Sequence, residues 1–402
     1  EIHERLVGSE MCIRDRPGVG GSNPPLATKN MNLQARKKSW WSTFKNSHIK
    51  SHNLKNFYKK LDKKKIPDDL NKTLEYFINS ESYEWSSKFW RRLVINHLKL
   101  ISEKKFENSQ DILGKEYFTF THFNEDLIKD ACKLVEKKSI NLKVNIFKKQ
   151  KDFSYEESIN HNLLILLLYE NIKDKDVFKK FVKIKNKRKL SIPEKPSLMI
   201  NDNNLSQDDL NSLFEFEKIE KLLEKIPNKK GNFLEIGSGA GRTTQTILSL
   251  KENIKYVIAD IPPAINLSYK NIERLFPEKK ISYALSVENE KDFLKILEGS
   301  DIIYILPHQI KFLPKHFFDI SIAIDCLHEM EEKIVKRYVS SFEQVSNSFY
   351  FKVWEYAGLP NSFYKYYSAH NKKDYFIKDS WEEVFKERCS FPSNYYQFGY
   401  KF

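Results

Sequence analysis

The feature that most constrains this chain is an apolar run that ends in three closely spaced glycines, FLEIGSGAGRTT at residues 233–244. A short apolar run without polar alternation is typical of a strand buried on both faces, and the glycines allow a tight turn into a following helix. Five similar runs follow, with helical patterns between several of them, notably at 243–250 and 264–275: YVIADI, ISYAL, DIIYILP, ISIAIDC and FYFKVW. The alternation predicts an α/β fold with a Rossmann-like, doubly wound sheet of about seven strands.

The residues before this region have a different pattern. From 31 to about 200, apolar positions recur three and four apart, which predicts a mostly helical domain ahead of the sheet domain at 201–402. The connector LSIPEKPSLMINDNN separates the two, and Ser206 and Asp209 have the spacing of a capping box for the helix after it. The run LLILLLY at 163–169 is far shorter than the ~20 residues that span a bilayer, so it predicts a buried helix and no membrane span.

Charge is distributed unevenly along the 402 residues. Residues 31–200 carry 37 Lys+Arg against 21 Asp+Glu, whereas 201–402 carry 27 against 29. The glycine motif lies in the neutral half. The basic half is therefore either a solvated, lysine-rich surface or a surface for an anionic partner such as RNA, and we expect the former.

Four scattered cysteines predict reduced thiols and a cytoplasmic protein: Cys12, Cys132, Cys326 and Cys389. The first thirty residues do not have the pattern of a folded segment. VGSEMCIRDR resembles translated sequencing adapter, and GGSNPPLATKN resembles the translated end of a transfer RNA gene. We predict that 1–30 is a disordered, non-native read-through segment and that the protein starts at Met31.

The glycine spacing distinguishes two kinds of nucleotide site. Gly237, Gly239 and Gly241 read G-x-G-x-G, and Arg242 stands where a dinucleotide fingerprint has its third glycine. With Glu235 the motif becomes E-x-G-x-G-x-G, which resembles motif I of the class I S-adenosylmethionine-dependent methyltransferases. In this interpretation a Cβ in the loop would collide with the methionine part of the cofactor, and the carboxylate receives its ammonium group.

A second acidic residue supports the same cofactor. Asp260 ends the run YVIAD, 19 residues after Gly241, where two carboxylate oxygens can accept both ribose hydroxyls. The alternative is that Asp260 caps a turn. Gln309, after the run DIIYILP, either meets the adenine edge or caps a loop. The predicted S-adenosylmethionine set is Glu235, Gly237, Ser238, Gly239, Gly241, Asp260, Ile261 and Gln309.

A longer resemblance covers the chain from about 206 to 402. The segments FLEIGSGAGRTT, YVIADIPPAINLSYKNIERLFP, IYILPHQ, FDISIAIDCLHEM and WEEVFKERCSFPSNYYQFGYKF resemble the bacterial sugar O-methyltransferase family. The resemblance implies methyl transfer to a hydroxyl of a saccharide or nucleotide-sugar acceptor. Nucleic acid is the less expected partner, and the oligomeric state is left open.

The segment DCLHEM supplies candidate catalytic residues. It follows a predicted strand, so Asp325, His328 and Glu329 are expected near the carboxyl edge of the sheet, where ligands bind. We predict His328 as the general base because an ordinary imidazole is neutral at working pH, with Glu329 either orienting it or binding a sugar hydroxyl. The alternative is that His328 and Glu329 only cap the next helix. Asp319, Asp325 and Glu329 do not form a recognisable metal motif, so no metal is predicted.

Several interpretations stay open. Trp85, Phe89 and Trp90 are either core residues or, with Trp354, a platform for a sugar ring. The rival functions are an RNA methyltransferase that uses the basic half and a binding protein that holds the cofactor without turnover.

Overall fold

The structure is a computed structural model that describes residues 53–103, 144–150, 154–188, 196–357 and 367–402. The predicted read-through segment 1–30, the predicted start at Met31, and Cys12 and Cys132 lie outside these residues.

Helices form the described part of the first half and alternate with strands in the second. Their bounds are α1 Leu54–Lys60, α2 Asp68–Asn79, α3 Ser82–Trp85, α4 Lys88–Glu103, α5 Tyr155–Ile172, α6 Asp176–Arg188, α7 Gln207–Leu223, α8 Arg242–Leu250, α9 Ala264–Leu275, α10 Glu290–Gly299 and α11 Glu332–Val345. Short 3-10 helices lie at Lys63–Lys65, Pro307–Phe312, Leu327–Glu329 and Lys372–Tyr375. The predicted capping box is confirmed, since Ser206 and Asp209 bond reciprocally at the start of α7.

Twelve strands are present in the described residues: β1 Ser197–Ile200, β2 Asn203–Ser206, β3 Asn232–Ile236, β4 Lys255–Ala259, β5 Ile281–Tyr283, β6 Ile302–Ile305, β7 Ile320–Ile324, β8 Ser348–Trp354, β9 Tyr356–Ala357, β10 Tyr367–Ser368, β11 Glu382–Arg388 and β12 Tyr395–Lys401. Eight of them form one mixed sheet in the order β11-β12-β8-β7-β3-β4-β6-β5. Each neighbouring pair in the part of the sheet ordered β8-β7-β3-β4-β6-β5 is parallel. β12 pairs antiparallel with β8, and β11 pairs antiparallel with β12.

The six apolar runs predicted as strands all lie in this sheet, which confirms the α/β class. The sheet has eight strands where about seven were predicted. The antiparallel pair β11 and β12 closes one edge, and the short β5 forms the other edge beside β6. The strands of this sheet outside the predicted runs are β11 and β12, which have seven residues each. β11 is mostly charged and only partly buried, so it lacks the apolar run by which the other strands were predicted.

Helices cover both faces of the sheet. Phe233 and Tyr256 pack with α7, α8 and α9 on one face. Leu234 and Val257 pack with α10 and α11 on the other. Successive strand residues point to opposite faces, which is why an uninterrupted apolar run serves two cores.

The predicted connector between the halves contains regular structure. β1 and β2 form an antiparallel hairpin, and Asn201 and Asp202 form its turn with φ of 46° and 62°. Two residues with positive φ match a type I′ hairpin turn, for which Asn and Asp are suited. The predicted boundary near residue 200 therefore falls at this turn, and the division into domains stays a prediction.

The run at 163–169 is helical, as predicted, and lies within the buried α5. Among the helices of the described ranges, none is both long enough and apolar enough to cross a bilayer.

Candidate active site

A cleft opens at the carboxyl edge of β3, β4 and β7. Its empty volume is about 540 Å³, including the part that is open to solvent. The sheet contributes the glycine loop, the residues after β4 and those after β7, and the helical half contributes the turn from α3 into α4. The principal lining residues are Trp85, Trp90, Gly237, Gly239, Asp260, Ile261, Asp325 and Cys326.

The glycine loop turns the chain from β3 into α8. Gly237, Gly239 and Gly241 have φ of 67°, 57° and 84°, a region that side chains disfavour. A Cβ on Gly237 would lie 2.9 Å from Cβ of Cys326, and one on Gly241 would lie 2.9 Å from Oγ of Ser268. Tight packing within the protein therefore already requires glycine at these two positions. This packing is a reason for glycine in addition to the tight turn and the cofactor clearance predicted from the sequence.

Asp260 lies beside the loop, at the end of β4, and lines the cleft. Its Oδ1 accepts from the Ile261 amide at 2.7 Å, and its Oδ2 accepts from the Gly239 amide at 3.1 Å and from Ser238 Oγ at 3.3 Å. Burial raises the pKa of Asp260 to about 6, against these hydrogen bonds, which lower it. Four predicted cofactor residues are thus brought together around one carboxylate.

Glu235 faces away from the cleft. Its Oε2 accepts hydrogen bonds from Thr244 Oγ1 at 2.6 Å and Tyr256 OH at 2.8 Å. Burial raises the pKa of Glu235 to about 7. Glu235 is not among the cleft-lining residues, so its contact with a cofactor stays a prediction, while its observed role is to tie β3 to β4 and α8.

Gln309 is fully buried next to β6. Its Oε1 accepts from the Leu306 amide, and its Nε2 donates to the carbonyls of Ala284 and Val287, each at 2.7 Å. This placement favours the loop-cap interpretation over contact with adenine.

Asp325 is the first residue after β7 and lines the cleft. Its φ of 56° is unusual for a residue with a side chain, and such conformations cluster at functional sites. Burial raises the pKa of its carboxyl to about 6, although Lys352 and Arg242 lower it. Within the described ranges neither carboxylate oxygen has a hydrogen-bond partner, and Nη2 of Arg242 is 3.7 Å from Oδ2.

His328 lies one turn further, with 1% of its surface exposed. Its ring stacks on Trp354 at a centroid distance of 5.0 Å and meets the Tyr395 ring edge-on at 6.4 Å. Neither ring nitrogen has a hydrogen-bond partner among the residues described. Burial lowers the pKa of His328 to about 3, so the imidazole is neutral at working pH, as the sequence analysis expected.

Glu329 connects the helical half to the site. Its Oε2 accepts a hydrogen bond from Nε1 of Trp90 on α4 at 3.0 Å. Burial and the neighbouring Asp325 raise the pKa of Glu329 to about 8, while the bond from Trp90 lowers it. Nothing here orients His328 through Glu329, because the described contacts of the imidazole are aromatic.

A buried ion cluster lies behind Asp325 and was not found from the sequence. Glu215 on α7 accepts from Nη2 of Arg242 at 3.1 Å and from Nζ of Lys352 at 2.9 Å. Burial alone would raise the pKa of Glu215, but the two cations outweigh it and lower the pKa. The one signal in the sequence was Arg242 in place of a third glycine, since its partners are distant along the chain.

The turn from α3 into α4 covers the cleft. Ser82 Oγ and Nδ1 of His308 are 2.6 Å apart, and the amide of His308 donates to the same Oγ at 3.1 Å. Trp85 packs edge-on against Tyr338 of α11 at 5.3 Å. Trp85 and Trp90 thus belong to the wall of the cleft, whereas Phe89 is a buried neighbour of Trp90.

The described ranges contain no cluster of three or more His, Cys, Asp or Glu side chains arranged to hold a metal ion. Asp319, one of the three carboxylates considered and rejected as a metal motif, accepts hydrogen bonds from the backbone amides of 230–232.

Comparison with known proteins returns structural likeness only. No protein-family profile matches the sequence, and no curated protein matches it. A SAM-dependent methyltransferase from Aquifex aeolicus aligns over 47% of this chain and 89% of its own, with 16% identity and a TM-score of 0.30. The N-methyltransferase NodS from Bradyrhizobium japonicum aligns over 47% and 96%, with 15% identity and a TM-score of 0.29.

A third similar structure is the Burkholderia thailandensis 1,6-didemethyltoxoflavin-N1-methyltransferase, which was solved with S-adenosylhomocysteine. It aligns over 48% of this chain and 78% of its own, with 11% identity and a TM-score of 0.32. At these values the function of this chain has to be argued from its own site.

Proposed function

We propose that this protein is an S-adenosylmethionine-dependent O-methyltransferase that transfers a methyl group to a hydroxyl of a saccharide or nucleotide-sugar. The observation that carries the proposal is the meeting of three chain segments in one cleft: the glycine loop, Asp260 and Asp325. A cofactor pocket followed by an acidic group at the next strand end is the arrangement that methyl transfer to a hydroxyl needs.

The cofactor-facing residues fit a nucleoside with a charged amino-acid tail. Gly237 and Gly239 present backbone without side chains, Ile261 adds an apolar wall, and Asp260 is the ribose-binding candidate. Its Oδ1 accepts only from Ile261 and keeps a lone pair for a ribose hydroxyl, whereas its Oδ2 already accepts from Ser238 and Gly239. When bound, the cofactor supplies an electrophilic methyl group on a sulfonium.

The protein then has to take a proton from the acceptor hydroxyl. Asp325 is placed better for this than His328, because Asp325 lines the cleft and its pKa of about 6 leaves it charged at neutral pH. With a pKa of about 3, His328 is a weak base. We therefore assign proton removal to Asp325: its oxygen takes the hydroxyl proton as the oxygen–carbon bond forms and the sulfur–carbon bond breaks.

Calorimetry with S-adenosylmethionine tests the cofactor. We expect binding to the wild type and roughly 10- to 100-fold weaker binding to Asp260→Ala, the loss of one charge-assisted hydrogen bond. Because Asp260 also bonds the glycine loop, its loss could disturb that loop. The variant Asp260→Asn and the Tm of each variant serve as controls for this effect. Absence of binding to the folded wild type would overturn the proposal.

The acceptor class is tested by methyl transfer from radiolabelled S-adenosylmethionine to a saccharide panel and, in parallel, to transfer RNA. We expect label in saccharide alone. Asp325→Asn should lower turnover by about 100-fold or more with cofactor binding retained. Labelled RNA would favour the rival methyltransferase, and cofactor binding without any transfer would favour the non-catalytic protein. Normal turnover in Asp325→Asn with lost turnover in His328→Ala would return the base to His328.

A further inference from the structure

The buried polar side chains without hydrogen-bond partners inside the described ranges include four on α7 and after β7, and one of these, Asp325, lines the cleft. Gln207 and Asn211 lie on α7, and Asp325 and His328 follow β7. Gln207 is 3% exposed, and Asn211 and His328 are 1% exposed. Native proteins satisfy most buried polar groups, and each exception costs free energy, so a concentration of them indicates a group that they bind.

The four side chains belong to one region. Gln207, Asn211 and Glu215 are four residues apart, so they share one face of α7. Glu215 and the adjacent Ser212 both accept hydrogen bonds from Arg242. Arg242 in turn approaches Asp325. Arg242 thus contacts both the face of α7 that carries the unpaired amides and Asp325, whose carboxylate lines the cleft.

Aromatic rings border the same region. His328 stacks on Trp354 and meets Tyr395 edge-on, and Nζ of Lys352 lies 4.9 Å from the Tyr395 ring centroid. Aromatic faces beside amides suit a ligand that has both carbon–hydrogen faces and hydroxyl groups.

The charges of the region favour a neutral ligand. Glu215 binds both cations, Arg242 and Lys352, and Asp208 and Asp325 add negative charge that raises the pKa of Arg242. A phosphate would have to compete with Glu215 for these cations and would face two further carboxylates.

We propose that Gln207 and Asn211, with Trp354 and Tyr395, form the subsite for the neutral sugar ring of the acceptor, and that they orient its hydroxyl toward Asp325. This inference rests on the proposed function and adds to it the residues that recognise the acceptor. A diphosphate of a nucleotide-sugar would lie outside this subsite.

Stability measurements test whether the amides are satisfied within the protein. Replacing an unpaired buried amide by a similar apolar group removes a desolvation cost, so Asn211→Leu and Gln207→Met should leave the ligand-free Tm unchanged or raise it by about 2 °C. Asn162→Leu is the matched control, because Asn162 bonds Gln150, the Ile146 carbonyl and the Lys148 carbonyl. The control should lower the Tm by several degrees.

Binding measurements test the ligand. Saturation-transfer NMR with S-adenosylhomocysteine present would use methyl α-glucoside, methyl α-mannoside and methyl α-rhamnoside as probes. We expect at least one to bind the wild type and to bind Asn211→Leu about tenfold more weakly or worse, with S-adenosylhomocysteine affinity unchanged.

Two results would overturn this inference while leaving the proposed function intact. One is a Tm loss in Asn211→Leu equal to that of Asn162→Leu, which would mean that the amide is a satisfied structural group. The other is probe binding that is absent from the wild type or unchanged in the variant while S-adenosylhomocysteine still binds. Failure of S-adenosylhomocysteine to bind the wild type would instead contradict the proposed function.

Discussion

Several charged side chains are buried in the interior of this protein, and ion pairs with their neighbours offset the free-energy cost of that burial. Glu215, Arg242 and Lys352 are all nearly inaccessible, and the carboxylate is shared by both cations. Glu215→Ala removes the carboxylate that the two buried cations share. We therefore expect a loss of about 3–5 kcal/mol in the free energy of unfolding, measured by urea denaturation. Glu75→Ala, which breaks an exposed pair with Lys63, should have a much smaller effect on the free energy of unfolding. Equal losses at the two sites would contradict this account of the cluster.

If the proposed function holds, Asp260 should make cofactor binding sensitive to pH. Its pKa is raised to about 6 by burial, and only the ionised carboxylate accepts hydrogen bonds at both oxygens. We expect the affinity for S-adenosylmethionine to fall as pH drops through 6, measured by calorimetry between pH 5 and 8. In Asp260→Asn the residual affinity should lack this step. An affinity independent of pH in the wild type would show that Asp260 does not contact the cofactor in its charged form.

At the scale of elements, a side-chain hydrogen bond joins helix α4 to the turn after β7. Nε1 of Trp90 donates to Glu329 and lowers its pKa. Trp90→Phe keeps most of the packing and removes the donor, so the pKa of Glu329 should rise by about one unit, measured by carboxyl carbon NMR. Trp85→Phe is the control, since Trp85 packs on Tyr338. A shift of equal size in the control would contradict a direct bond.

Some of the strands could be predicted from the pattern of apolar residues in the sequence, and others could not. Runs such as 233–236 predicted buried strands because their apolar residues do not alternate, and the Gly-rich turn marked where a helix would begin. The hairpin at 197–206 was assigned to a connector, although Asn201 and Asp202 are suitable turn residues. Its strands have only four residues each, too few for a period to be recognised.

At the scale of the whole molecule, buried acids should set the pH dependence of stability. Burial raises the folded-state pKa of Glu235 to about 7 and that of Glu329 to about 8. An acid whose pKa is higher in the folded state than in the unfolded state stabilises the fold. This contribution is fully present below the unfolded-state pKa and is lost as pH rises through the folded-state pKa. His161 and His328 have lowered pKa values of about 4 and about 3 and act in the opposite direction, but only below pH 6.5.

Between pH 6.5 and 8.5 the acids therefore dominate. We expect the free energy of unfolding to fall by about 2–3 kcal/mol over this interval, measured by urea denaturation. Glu329→Gln should remove most of the slope, and Glu382→Gln, at an exposed surface position, should leave it unchanged. A flat profile in the wild type would show that the buried acids titrate at ordinary values.

The amino-acid sequence by itself determined the alternation of strands and helices, the glycine turn and the acid that follows the next strand. These features depend on near neighbours in the chain, where periodicity and backbone freedom act. Only the tertiary structure decided that Glu235 faces the core, that Gln309 caps a loop, and that Glu215 meets Lys352 from 137 positions away. Strand order and helix packing bring such residues together, and desolvation at the resulting contacts, which no local pattern encodes, decides their charge.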